Sequence, residues 1–291
     1  VSNPLHAKHY ADQAIRVTAS ILENVPIARD TYRVRLACPE IAKRVVPGQF
    51  LMLKMAGLND PLLGRPLALY DTVVSPSGES IGVDVVYLVL GKFTRLLAES
   101  TPDTKLEVWG PLGNGFSPGT TSEENLVMVA GGIGQTPFMA LAREALGKRS
   151  YGNPSRAVVA APSVTLCYGA RTASYFAGIE EFRALGVEVL QSTDDGSLGH
   201  RGFVTDLLQQ LLERRTRVRI TCCGPEPMME AVAKIAIAAN VPCQVSLETP
   251  MACGVGICFS CVAKVRDAAG EWDYKRTCVE GPIFAADQIC W

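Results

Sequence analysis

Between residues 15 and 109 the chain alternates short apolar runs with turn chemistry. Stretches 15–22, 31–36, 50–55, 67–71, 83–90 and 105–109 are rich in Val, Leu, Ile and Thr, and Pro47-Gly48 and Ser75-Pro76-Ser77-Gly78 punctuate them. Strands at this pitch, with one short helical stretch over 95–99 that Thr94 would cap, predict an antiparallel barrel. From Asn125 the period changes. Leu126-Val127-Met128-Val129-Ala130 is a continuous apolar run, followed by Gly131-Gly132-Ile133-Gly134-Gln135-Thr136-Pro137 and an apolar helical stretch ending near Leu146. This pattern predicts a buried strand, a glycine-rich turn and a helix with Pro137 in its first turn.

Strands are then predicted at 164–168, 187–192 and 218–222, and helices at 179–185, 204–213 and 227–239. Strict alternation of strands and helices implies a parallel sheet that binds a nucleotide at the carboxyl ends of its strands. The polar, proline-bearing spacer 148–162 reads as a surface loop. The arginines at 214, 215, 217 and 219 read as the solvated end of a helix entering a strand.

Composition narrows the class. The chain has 291 residues, 48% hydrophobic and 20% charged, enough for two domains and a small module and unlike a disordered chain. A formal net charge of −1 offers no electrostatic case for nucleic acid or an anionic membrane surface. No apolar run reaches the roughly 18 residues of a spanning helix. Ten cysteines without a secretory leader pattern point to a reducing compartment, the cytoplasm by default.

The cysteines carry the most specific signal. Within 251–261, Met-Ala-Cys-Gly-Val-Gly-Ile-Cys-Phe-Ser-Cys, the residues Cys253, Cys258 and Cys261 have the C-x4-C-x2-C spacing of plant-type [2Fe–2S] clusters, and Cys278 is the distant fourth ligand. A loop wrapping a cluster must bring thiolates and backbone N–H groups close to inorganic sulfur. Gly254 and Gly256 permit that approach. The competing readings are a zinc site, a disulfide pair or buried apolar cysteines, and zinc ribbons usually carry two close knuckles where Cys278 stands alone.

Two barrel segments are flavin candidates. Arg65-Pro66-Leu67-Ala68 sets a cation and a rigid turn before a strand, and Gly91-Lys92-Phe93-Thr94 leads into a helix. Either is also an ordinary surface turn. The glycine-rich turn at Gly131, Gly132 and Gly134, with Thr136 and Pro137, favours a pyrophosphate at the helix N-terminus. It is not the Rossmann G-x-G-x-x-G, and a tight turn without a ligand remains the alternative. Cys223-Gly224-Pro225 would place a thiol at the lip of the sheet, where a nicotinamide could lie, or Cys223 is a buried apolar cysteine.

Together these pieces resemble the ferredoxin reductase superfamily: a flavin barrel, an α/β nucleotide domain and a small C-terminal plant-type [2Fe–2S] module. Within it, Asp194-Asp195-Gly196-Ser197-x-Gly199, Met251-Ala252-Cys253-Gly254-Val255-Gly256 and Cys278-Val279-Glu280-Gly281-Pro282-Ile283-Phe284 resemble the iron–sulfur electron-transfer subunits of type B dihydroorotate dehydrogenases. The resemblance implies an FAD domain at 1–118, an NAD domain at 119–243 and a cluster module at 244–291. It implies FAD contacts at Arg65, Pro66, Leu67, Ala68, Tyr87, Leu88, Val89, Phe93 and Thr94, and cluster ligation by Cys253, Cys258, Cys261 and Cys278. Ala68 stands where the family usually has serine, and Phe93 where it usually has glycine. The implied partner is an FMN-binding dihydroorotate dehydrogenase catalytic subunit in a heterotetramer, serving pyrimidine biosynthesis, with no membrane or nucleic acid involved.

On that reading the chain positions three redox centres and needs no catalytic nucleophile. Phe284 and Trp291 would help present the cluster edge to the partner, or they close the cluster module's own small core. The alternatives are a related NAD(P)H–ferredoxin, hydrogenase or sulfur reductase subunit, a zinc-stabilised binding module, and a flavin-only domain with structural cysteines. Arg171 is the candidate contact for a 2′-phosphate, while the family resemblance favours NAD.

Overall fold

The computed structural model describes residues 11–215 and 217–291. The first ten residues, where the first domain is expected to begin, lie outside the described residues.

Six antiparallel strands close into a barrel: β1 (Ile15–Ala28), β2 (Thr31–Ala37), β3 (Phe50–Met55), β4 (Arg65–Val74), β5 (Ser80–Leu88) and β6 (Lys105–Leu112), in the order β1-β2-β5-β4-β3-β6. Alternate residues point inward, so Val34 and Leu36, Leu51 and Leu53, Val83 and Val85, and Leu106 and Val108 form one fully buried core. Two short helices cover it, α1 (Pro39–Ala42) and α2 (Lys92–Ala98). The sequence pattern shows only the second of these, because four residues are too few for a helical period to emerge.

The α/β half contains β7 (Asn125–Gly131), α3 (Phe138–Ala145), β8 (Val164–Ala170), α4 (Ile179–Ala184), β9 (Glu188–Thr193), β10 (His200–Arg201), α5 (Val204–Arg214), β11 (Val218–Cys223), α6 (Glu226–Ala238) and β12 (Cys243–Ser246). The sheet order is β10-β9-β8-β7-β11-β12, all parallel. Strand order reverses between β7 and β11, so the loops leaving these two strands flank the topological switch point, where open α/β sheets bind ligands. Helix α3 is apolar almost all round and buried between the sheet and the barrel.

After β12 the chain forms the cysteine loop, the hairpin β13 (Val262–Arg266) and β14 (Trp272–Arg276), and then β15 (Ile283–Ala285), which pairs antiparallel with β12 at the edge of the parallel sheet. The cluster segment is thus stapled back onto the nucleotide sheet by its own end. Phe284 is buried in the α/β core and Trp291 packs against it. That corrects the expectation that they face a partner: the apolar side chains exposed here are Ile257, Phe259, Trp272 and Tyr274.

Long-range contacts qualify two further expectations that otherwise hold: 148–162 is a largely exposed loop, and the arginine run joins the end of α5 to β11 with Arg214 and Arg217 exposed. The 148–162 segment is a strap between the halves, with Tyr151 only 3% exposed and its hydroxyl donating to Asp71 of β4 at 2.7 Å. Arg156 of the strap pairs with the buried Glu144 of α3 (Nε to Oε1, 2.7 Å) and donates to the Phe116 carbonyl at 2.7 Å. In the arginine run, Arg219 is buried, 3.3 Å from Glu124, and desolvation lowers its pKa. Arg215 reaches Ser163 at 2.7 Å. Composition marks such segments as polar without showing which polar atoms meet partners.

Candidate functional site

A cleft of about 460 Å³ opens between the barrel, the switch point and the cysteine loop. From the barrel it is lined by Arg65, Pro66, Leu67 and Ala68 at the start of β4, by Tyr87 and Leu88 at the end of β5, and by Phe93 and Thr94 of α2. From the α/β half come Ile133, Thr136, Cys223 and Ser246, and from the connection beyond β12 come Glu248, Thr249 and Met251. Residues far apart in sequence thus face one space.

Arg65 is half-buried and donates from Nη1 to the Leu63 and Gly64 carbonyls at 2.9 and 3.1 Å. It has no carboxylate partner among the described residues, which leaves a cation with spare donors in the cleft, matched to a diphosphate. Thr94 is the third residue of α2 rather than its cap. Gly91 occupies the N-cap, and Thr94 Oγ1 accepts from the Leu90 and Gly91 amides at 2.9 and 3.0 Å. Phe93 does not crowd the cleft, because its ring is packed into the barrel core at 1% exposure. Val89 lies outside the cleft lining, packs against that core and donates its amide to Asp30 O at 2.8 Å.

At the switch point the glycines divide into two kinds. A Cβ on Gly134 would meet Cys223 O at 2.2 Å, and one on Gly224 would meet Gly131 N at 2.9 Å, so these glycines let the ends of β7 and β11 touch. Gly132, at φ +56, has nothing within 4 Å and offers open backbone. A 3-10 turn, Gly132–Gln135, precedes α3, so Pro137 is the helix N-cap rather than a first-turn residue. Pro225 similarly N-caps α6. Arg171 is exposed beyond β8.

Cys223 is buried opposite Ser246 in the strand register, and burial pushes its thiol well up. Glu248, an exposed residue of the cleft wall, has its carboxyl pushed up by desolvation. Glu248 and Ser246 have no motif signal. Ser246 ends the four-residue strand β12 and Glu248 follows two residues later, and only pairing of β12 with β11 and β15 turns them into the cleft.

Among the described residues no three metal-donor side chains are gathered closely enough to hold an ion; of the four expected cluster ligands one pair is in contact, and Cys253 and Cys258 lie on the loop beside it. Cys261 and Cys278 are buried with sulfurs 3.2 Å apart. Sharing that contact brings the Cys261 thiol down to about 6 and drives its neighbour up. Cys258 is exposed, and its contact with Ser260 Oγ at 3.2 Å, supported by Cys253, brings it down to about 6. Cys253 Sγ accepts the Val255 amide at 3.4 Å. None of the ten cysteines forms a disulfide.

Gly254 and Gly256 have φ +74 and +81. A Cβ on Gly254 would meet Met52 at 2.6 Å, and one on Gly256 would meet Val279 at 3.1 Å, so the loop lies directly on its supports. Trp109 of β6 donates Nε1 to Cys253 O at 3.0 Å and ties the loop to the barrel. Four thiols without disulfides, at the spacing of a plant-type site, supply the donor types of a two-iron cluster. The buried pair faces inward. Thr249, in the cleft wall, shares a 2.5 Å contact with Thr277 Oγ1, and Thr277 donates to Cys261 O at 2.9 Å.

The profile of the iron-sulfur cluster binding domain of dihydroorotate dehydrogenase B matches residues 248–290, and that of the oxidoreductase NAD-binding domain matches 128–234. The chain is similar to the dihydroorotate dehydrogenase B (NAD(+)) electron transfer subunit of Desulforamulus reducens, at 34% identity over 94% of this chain and 97% of that protein. It is 38% identical to the same subunit of Geobacillus kaustophilus over 90% of this chain and 94% of that one. Among solved structures it is similar to the NADH-dependent reduced ferredoxin-NADP oxidoreductase studied for flavin-based electron bifurcation. That match has a TM-score of 0.77 and 30% identity, covering 94% of this chain and 90% of the other.

Proposed function

Because the chain belongs to the family of electron transfer subunits of dihydroorotate dehydrogenase B, we propose that it passes electrons between NAD(H), FAD and a [2Fe–2S] cluster, to or from an FMN-containing dihydroorotate dehydrogenase catalytic subunit. The observation that carries this reading is the single cleft walled by the barrel, the switch point of the sheet and the connection into the cysteine loop. Bound there, FAD would exchange a hydride with the nicotinamide and single electrons with the cluster.

The chain's own residues divide the work. Arg65 holds a diphosphate and β4 supports the ring that follows it. The open backbone at Gly132 and the α3 N-terminus face the dinucleotide. Cys223 and Glu248 border the space between the two rings. Cys253 and Cys258 hold one iron, and Cys261 and Cys278 the other. The domains proposed are 1–118 for FAD, 119–243 for NAD and 244–291 for the cluster.

Cys258 is the exposed ligand, flanked by Ile257 and Phe259 at 73% and 62% exposure. This edge is the proposed docking face for the catalytic subunit, in a heterotetramer. Ten free thiols support a cytoplasmic setting. No helix among the described residues is long and apolar enough to cross a membrane.

The test is reconstitution. The isolated chain, loaded with FAD and cluster, reduces artificial acceptors with NADH but oxidises no dihydroorotate until the FMN-bearing subunit is added. Dihydroorotate turnover by the chain alone, or failure to form the complex, defeats this reading.

A further inference from the structure

Two consecutive residues of one barrel strand join the halves of the molecule. Tyr70 on β4 donates its hydroxyl to Glu181 of α4 at 2.9 Å, and the same carboxylate takes Arg33 Nη1 of β2 at 2.8 Å. Next along the strand, Asp71 is paired by Arg143 of α3 at 2.6 Å, by Tyr151 Oη of the strap at 2.7 Å and by Arg149 of the strap at 3.1 Å. Its side chain is 9% exposed, so two hydrogen-bond donors, Tyr151 and Arg149, and the ion-paired Arg143 converge from the nucleotide half on one buried barrel carboxylate.

The elements joined here are the ones that bear the two walls of the cleft. Strand β4 begins with Arg65 to Ala68, and Ala68 is three residues before Asp71, about 10 Å along an extended strand. Helix α3 begins where the glycine-rich turn ends, and Arg143 is five residues into it, about 8 Å along the axis. Both connections are short and regular, and α3 is packed on nearly every side, so a shift at Asp71 is carried to the cleft instead of being absorbed. Glu144, the next residue of α3, is clamped to Arg156, which leaves the helix little freedom to turn.

We propose that Asp71, with Arg143 and Tyr151, is a positioning site that sets how closely the nicotinamide and flavin rings stack across the cleft. This rests on the assignment of the cleft to FAD and NAD. The side chains touch neither cofactor. They act by fixing β4 against α3, and a misplacement of about 1 Å is enough to cost on the order of a hundredfold in a reaction that needs ring-to-ring contact.

The test uses the FAD-loaded full chain carrying Asp71→Asn, which keeps the shape and removes the charge. The expected result is unchanged FAD content, NADH affinity within about threefold, and a rate of flavin reduction at saturating NADH lower by roughly ten- to a hundredfold. The long-wavelength charge-transfer absorbance of the NADH–flavin complex weakens in parallel. In flavin-free protein, amide hydrogen exchange in residues 148–156 accelerates. Tyr151→Phe, which removes one donor, gives a smaller loss of the same kind and carries the test if Asp71→Asn does not fold. Wild-type reduction rates in the folded variants overturn the proposal, and so does a rate loss that merely tracks lost FAD. If the wild-type holoprotein is not reduced by NADH at all, the assignment of the cleft itself fails, and the positioning role fails with it.

Discussion

The cysteine loop and the seam between barrel and sheet are organised on opposite principles. In the loop, three of the four proposed ligands lie within nine residues, and positive-φ glycines let that short stretch lie on Met52 and Val279. In the seam, Asp71, Arg143, Tyr151, Glu144 and Arg156 come from a strand, a helix and a strap, and no two partners are close enough in sequence to be paired by spacing. The contrast shows that a redox centre can be built locally, while the distance between centres is a property of the whole fold.

That contrast breaks most visibly at the cluster. Replacing Cys258 or Cys278 with serine removes most of the iron and acid-labile sulfide, while FAD content and far-ultraviolet circular dichroism remain those of the wild type. Metal and sulfide analysis of the purified variants checks this, and zinc without sulfide in the wild type would refute the cluster.

At the seam, Arg156→Ala leaves Glu144 buried with its main partner gone, a loss of about 3 to 5 kcal/mol for a broken buried pair. Chemical denaturation should show that loss with the iron content per folded chain unchanged. A variant as stable as the wild type would mean that the strap is dispensable.

The cleft gives an intermediate effect. Arg65→Ala removes a charge-assisted bond of roughly 1.5 to 3 kcal/mol, so FAD dissociates about ten- to a hundredfold more readily. Equilibrium dialysis with FAD measures it, and unchanged retention would move the flavin elsewhere.

The smallest effect belongs to Glu248. Desolvation raises its folded-state pKa above the unfolded value of about 4.3, so folding favours the protonated form. The contribution is fully present below the unfolded pKa and is lost as pH rises through the folded one. Glu248→Gln therefore flattens that decline in the cofactor-free protein. Denaturation curves across this window that remain parallel for both proteins would show that the carboxyl is not desolvated.

Much of the architecture is legible from periodicity. The change at Asn125 from short alternating runs to strand–turn–helix units separates barrel from sheet, because side-chain direction in each element follows its own repeat. Strand β3 has the predicted bounds, β1, β2, β4 and β6 run past theirs, and β5 starts three residues earlier and ends two earlier than predicted. The cluster ligands are legible for a different reason, since a loop chelating a fixed object must keep a fixed spacing.

What periodicity leaves open is how the elements meet. Thr94 looks like a cap by composition, yet Gly91 takes that place because the threonine hydroxyl reaches back to two amides. Phe284 and Trp291 look like interface aromatics, yet β15 returns them to the core of the sheet. The strap looks solvated, yet its Tyr151 and Arg156 each meet a buried carboxylate, and Glu248 enters the cleft from a segment without a motif. By itself the sequence determines the two fold classes, the switch-point glycines and the cluster spacing, because those depend on local repeats and short-range geometry. Only the tertiary structure decides the shared cleft, the seam at Asp71 and the exposed cluster edge, because burial and pairing of polar groups depend on which distant segments pack together.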